Sequence, residues 1–100
     1  MAEEAQEGQK GQDVVRRKLV VSGRVQGVFF RETLRRKALE QGVSGWAKNT
    51  RAGLEAALEG PRQEVDRLVH WCRSGPDHAV VIHVQVDEEN PTGEEGFRVR

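Results

Sequence analysis

Two short segments hold the residues whose types and spacing could do chemistry. The first is Gly23-Arg24-Val25-Gln26-Gly27-Val28-Phe29-Phe30-Arg31. Two glycines flank a loop, and a run with helical spacing follows. Glycine lets the backbone approach a ligand closely and take up conformations that other residues avoid. The first N–H groups of a helix lack partners and favour negative charge, and a loop of converging amides is an anion nest. Arg31 falls in the first helical turn, where its planar fork of donors can grip a phosphate or carboxylate at two points. No Gly-Lys-Ser/Thr follows, so this is not a nucleotide P-loop, and the Gly-x-Gly-x-x-Gly spacing of a dinucleotide site is absent. On spacing alone, an ordinary tight turn stays open beside the anion site. The second segment is Gly45-Trp46-Ala47-Lys48-Asn49-Thr50-Arg51-Ala52-Gly53. Asn49 ends a strand beside a hairpin. Asparagine commonly bonds the local backbone in such turns, but its amide also offers an acceptor and donors that can orient a water.

Other chemistry-bearing residues point elsewhere. His70, His78 and His83 lack metal-ligand spacing; the last two, five apart on a strand, should face opposite ways. No metal site is therefore expected. Cys72 falls on the apolar face of a helix and reads as core, not as a nucleophile. Trp46 and Trp71 read as half-buried packing residues. Single-stranded RNA would call for aromatics on the first and third strands; residues 15–23 and 54–59 have none, so no nucleic-acid partner is expected.

These segments must be positioned by a scaffold, and the apolar periodicity outlines it. A first strand is predicted over about 15–23, with Leu19 and Val21 on one face. A helix follows over about 28–41, with Phe30, Leu34 and Ala38 toward the core and Gly42 as its stop. Strands over about 43–49 and 54–59 flank a hairpin at 50–53, with Gly53 at positive φ. Leu54, Ala56 and Leu58 should face inward and Glu55 and Glu59 outward, as in a sheet covered on one side only. Pro61 suits the first position of a second helix, whose core face is Val65, Leu68, Val69 and Cys72 and which Gly75-Pro76 ends. A fourth strand over about 78–86 should turn Val80, Ile82, Val84 and Val86 to one face. After a polar loop over 87–95, a short last strand points Phe97 and Val99 inward. The order βαββαβ plus a terminal strand predicts an α+β, ferredoxin-like sandwich: an antiparallel sheet with two helices on one face.

Composition bounds the rest. One hundred residues make one domain. Charged residues are 32% of the chain and no apolar run nears the length of a membrane span, so no membrane partner is expected. The N-terminus has neither the basic nor the apolar region of a secretory signal, and one cysteine cannot form an internal disulfide. A cytoplasmic protein is expected. The net charge is zero, yet its distribution is uneven. Residues 1–13 carry four acids and one base, net −3; residues 14–50 carry nine bases and two acids, net +7; residues 51–100 carry six bases and ten acids, net −4. A basic stretch of this kind attracts anions, although charge runs often only solvate a helix face. Residues 1–13 are nearly devoid of apolar side chains and are expected to be a disordered acidic tail before a domain spanning 14–100.

Taken together, the two segments closely resemble the acylphosphatases, and the resemblance extends over about residues 16–100, including Gly60-Pro61 and Gly96-Phe97. Ala47 stands where that family usually has valine. The resemblance implies a hydrolase acting on acid anhydrides, which converts a small acyl phosphate to carboxylate and inorganic phosphate, the latter acting as product inhibitor. It implies that Arg31 binds the phosphate, that the amides of Arg24, Val25, Gln26, Gly27 and Val28 cradle its oxygens, and that Asn49 positions the attacking water with Thr50 beside it. It implies neither a metal, another cofactor nor a covalent intermediate. The alternative is a catalytically silent module that binds phosphate or carbamoyl phosphate; the presence of both Arg31 and Asn49 argues against silence, and no appended catalytic domain is expected after Arg100. A monomer is expected, although the open sheet face and the last strand edge could pair.

Overall fold

A computed structural model describes residues 13–100, so the expectation for the acidic tail over 1–13 falls almost wholly outside the described residues. Five strands, β1 (Val14–Arg24), β2 (Ser44–Thr50), β3 (Gly53–Pro61), β4 (Val80–Glu89) and β5 (Phe97–Val99), form one sheet in the order β4-β1-β3-β2-β5. Helices α1 (Phe30–Gln41) and α2 (Arg62–Cys72) pack on the sheet and on each other. The sheet is mixed, which corrects the antiparallel expectation: β5 lies parallel to β2, from Gly45 opposite Phe97 to Ala47 opposite Val99. Topology requires this. β1 and β2 run the same way because each is antiparallel to β3 between them. β4 runs against β1, so the chain leaves it at the end where β1 and β2 begin. A strand then laid beside β2 must run with it.

The core follows the two periodicities. Phe30, Leu34 and Ala38 of α1 and Val65, Leu68, Val69 and Cys72 of α2 are buried against Leu19, Val21, Leu54, Ala56 and Leu58 of the sheet. The Phe30 and Trp71 rings meet edge to face at 5.2 Å. Burial pushes the Cys72 thiol up to about 12, so it stays neutral. Gly42 ends α1 in the left-handed region at φ 73°. Gly53 closes the hairpin at φ 132°, where a Cβ would sit 2.1 Å from the Val21 carbonyl oxygen, so no other residue fits.

Several boundaries differ from the sequence reading. The first helix begins at Phe30 and not at 28, because Gly27 (φ 75°) and Phe29 (φ 61°, ψ 26°) adopt left-handed backbone. Pro61 is the cap of α2 and not its first residue, since its ψ of 137° is extended. On β4 the alternation breaks: Ser22 faces His83 but Gly23 faces Val81, which leaves Ile82 as the extra residue of a bulge. Val80 and Ile82 are therefore exposed, while Val81, Val84 and Val86 pack on the core. His78 lies before β4 in a left-handed turn, not on the strand.

The clearest departure is Glu59. It points away from the helices, as alternation predicts, yet it is 4% exposed. The segment that crosses from β4 to β5 runs beneath it. Its carboxylate accepts the N–H groups of Thr92 (3.0 Å), Gly93 (2.8 Å) and Glu94 (3.1 Å) and the Arg16 guanidinium (2.9 Å). Arg16 also reaches Glu89 and Glu94. Burial alone would raise the Glu59 carboxyl, but the Thr92 amide, Arg16 and the amides of Gly93 and Glu94 outweigh it and hold it at about 2, against an ordinary 4.5. A carboxylate depressed on folding stabilises the native state above its ordinary value and loses that contribution as the pH falls toward 2. Glu59→Gln should therefore cost roughly 3 kcal/mol at neutral pH and progressively less below pH 4.5. Urea unfolding at pH 7, 4 and 2.5 measures this; a penalty independent of pH would show that the charge is not its source.

Candidate active site

The candidate site forms where β1 ends and α1 begins. Val25 is buried and anchors the connecting loop. Gly27 turns the chain at φ 75°, and nothing lies within 4 Å of where its Cβ would be; glycine is required there by the backbone and not by crowding. Among the described residues, the N–H groups of residues 26–32 have no protein acceptor, and the first helical bond runs from Thr33 N–H to Phe29 O (3.0 Å). A row of uncommitted donors at a helix start is suited to an anion.

The hairpin between β2 and β3 stands against this loop. Gln26 holds the two together: its Nε2 donates to the carbonyls of Thr50 (2.7 Å) and Gly53 (2.9 Å). That side-chain role was not legible in the sequence, where Gln26 figured only through its amide. Asn49, opposite Leu54 at the end of β2, places Oδ1 in a buried position without a hydrogen-bond partner. A buried acceptor left unpaired by the protein is suited to a bound molecule that donates. Thr50 Oγ1 is also buried and unpartnered and makes no bond to Asn49.

A cavity of about 250 Å³ joins these parts, lined by Val25, Gly27, Phe29, Phe30, Arg31, Glu32, Asn49 and Val99. It brings Arg31 and Asn49 to one space although they are distant in sequence. Arg31 Nη1 donates to the Arg100 carbonyl at 2.9 Å. Glu32, the acid of the first turn, lies 3.6 Å from Arg35 and is partly offset by it. Of the other residues assigned from the sequence, Val25 and Gly27 also line the cavity, whereas Arg24, Gln26, Val28 and Thr50 do not. Arg24 is exposed at the end of β1, Val28 is half-buried and packs on the core, and the Gln26 side chain is engaged with the hairpin. Val99 and Phe29 are wall residues that the sequence reading did not single out as site residues. Val99 arrives through the parallel pairing of β5, which has no local signal; Phe29 stood within the first motif, and its αL backbone is what turns it outward. Among the described residues no three His, Cys, Asp or Glu side chains are grouped so as to hold a metal ion, and no helix is long and apolar enough to cross a membrane.

Comparison with known proteins agrees with this geometry. The model of the Acylphosphatase family matches residues 17–99. The acylphosphatase of Roseiflexus sp. (strain RS-1) is 52% identical over 89 residues, covering 87% of this chain and 96% of that one. Among solved structures, an acylphosphatase from Coxiella burnetii superposes with a TM-score of 0.83 at 39% identity, over 88% of this chain and 94% of that one. The acylphosphatase from Bacillus subtilis superposes with a TM-score of 0.79 at 30% identity, over 88% and 99% respectively. The small α+β architecture, the loop that meets the hairpin and these similarities converge: the chain belongs to the acylphosphatase family.

Proposed function

We propose that this chain hydrolyses small acyl phosphates, R–CO–O–PO₃²⁻ + H₂O → R–COO⁻ + H₂PO₄⁻, on a ferredoxin-like scaffold. The observation that carries the reading is that one cavity is lined by Arg31, Asn49 and residues at the start of α1 whose N–H groups have no protein acceptor among the described residues. In this reading the Arg31 guanidinium and the amides of the loop over 24–28, of which those of 26–28 have no protein acceptor among the described residues, hold the phosphate oxygens. Asn49 Oδ1 accepts a hydrogen bond from the attacking water and aims it at phosphorus, opposite the carboxylate leaving group. Thr50 supports the end of β2 through its backbone, where Gln26 clamps it.

Phosphoryl transfer asks the protein chiefly for positioning and for stabilisation of charge. The site supplies both. A carboxylate leaves readily without a strong acid, and the proton of the water passes to the transferred phosphoryl group, since Asn49 is no base. The product phosphate resembles the reacting group and should compete for the same donors. We read the protein as a monomer acting in the cytoplasm, a compartment in keeping with a lone cysteine that stays a thiol.

The test is hydrolysis of benzoyl phosphate, followed by its ultraviolet absorbance, in buffer containing a metal chelator. Turnover inhibited competitively by inorganic phosphate is expected. Phosphate binding by calorimetry without turnover would replace the hydrolase reading with a phosphate-binding module.

A further inference from the structure

Arg31, Asn49 and the amides account for the phosphate and the water but leave Phe29, a wall residue, without a task. Phe29 is 79% exposed and belongs to no part of the core, yet it lines the same cavity. Its backbone is held at φ 61°, ψ 26°, and His78 is the only other non-glycine residue at positive φ among the described residues. Left-handed backbone is unfavourable for a bulky side chain, and glycine would sit there without cost. Two unfavourable features, an exposed ring and a strained backbone, thus coincide at one residue on the rim of the site. Strain of this kind persists where surrounding structure enforces it and is a pointer to function.

The conformation has a geometric result. Left-handed backbone at Gly27 and Phe29 leaves Val28 packed toward the core and puts Phe29 at the cavity mouth. The cavity's lining is of two kinds: Arg31, Glu32 and Asn49 are polar, and Val25, Phe29, Phe30 and Val99 are apolar. Its volume of about 250 Å³ is several times a water's share of liquid, about 30 Å³. An acyl group attached to a phosphate held by Arg31 would share this cavity with Phe29.

We propose that Phe29 selects the acyl group, its ring forming a flat apolar wall that favours aromatic and bulky apolar acyl phosphates over acetyl or carbamoyl phosphate. This rests on the reading of Arg31 and Asn49 as the phosphate and water sites. An aromatic pair contributes modestly beyond its buried area, so selectivity and not basic catalysis is the quantity it moves.

The experiment compares kcat/KM for benzoyl and acetyl phosphate in wild type, Phe29→Gly and Phe29→Leu, with the inhibition constant of inorganic phosphate measured alongside. The benzoyl-to-acetyl ratio should fall about tenfold in Phe29→Gly, the loss of roughly one aromatic contact. Phe29→Leu, which keeps apolar bulk without the flat ring, should fall between the two and retains the test if glycine loosens the loop. A ratio that stays within about twofold of wild type in both variants overturns the proposal, whether or not the individual rates drop. Parallel loss of both substrates and of phosphate inhibition would assign Phe29 to holding the loop and overturn it likewise. Wild type that turns over neither substrate would overturn the hydrolase reading itself, and with it this proposal.

Discussion

Replacing Arg31 by alanine should lower benzoyl phosphate turnover by about 10³-fold and abolish inhibition by inorganic phosphate at the same time. Charge-assisted hydrogen bonds are worth about 1.5–3 kcal/mol each, and two of them removed from the transition state correspond to about 10²–10⁴ in rate. The loss must appear in both measurements because the reacting phosphoryl group and the product phosphate meet the same guanidinium. Arg31→Lys should recover only part of it, since an ammonium keeps the charge but not the fork that grips two oxygens. The fold should survive either change: Arg31 is half-buried, stands outside the core and is held by one bond to the Arg100 carbonyl. A thermal midpoint close to wild type alongside the kinetic loss would separate the chemical role from a structural one.

Asn49→Ala should divide the two measurements that Arg31→Ala moves together. Removing a preorganised polar group that acts on the transition state costs about 10²–10³ in kcat. Phosphate inhibition should stay near the wild-type value, because the amide holds the water and not the anion. Stability should change little, as Asn49 Oδ1 has no partner in the protein to orphan. Asn49→Asp would add a negative charge beside the bound phosphate and should raise KM as well as lower kcat. If Asn49→Ala weakens phosphate binding as much as Arg31→Ala does, Asn49 belongs to the anion site and the water must be held elsewhere.

How far such residues could be read from the chain alone depended on whether their partners were local. The spacing of Phe30, Leu34 and Ala38 and of Val65, Leu68, Val69 and Cys72 is set by a helix's own pitch, and all seven side chains are buried as their spacing implies. Arg31 and Asn49 each stood in a recognisable segment, and the cavity that unites them follows from β3 pairing with both β1 and β2. What escaped the reading was contact between distant parts. Glu59 pointed in the expected direction, but its burial comes from a segment more than thirty residues later crossing beneath it. The bulge at Ile82 depends on the register between β1 and β4, which neither strand specifies alone. The same is true of β5, whose direction was fixed by where β4 released the chain, and of the Gln26 side chain, whose acceptors are carbonyls on another hairpin.

Cys72 makes the molecule its own clock. It is the chain's single cysteine and lies wholly inside, and burial pushes its thiol far enough up that it stays protonated at pH 8. An alkylating reagent consumes thiolate, and the closed protein offers it neither charge nor access. Because the residue sits between α2 and the sheet, partial fraying of the loops or of β5 does not uncover it. Labelling at this sulfur therefore counts the openings that lift α2 from the sheet, complete unfolding among them. Each surface or site variant can be ranked by that rate at microgram scale, with no denaturant and no engineered probe.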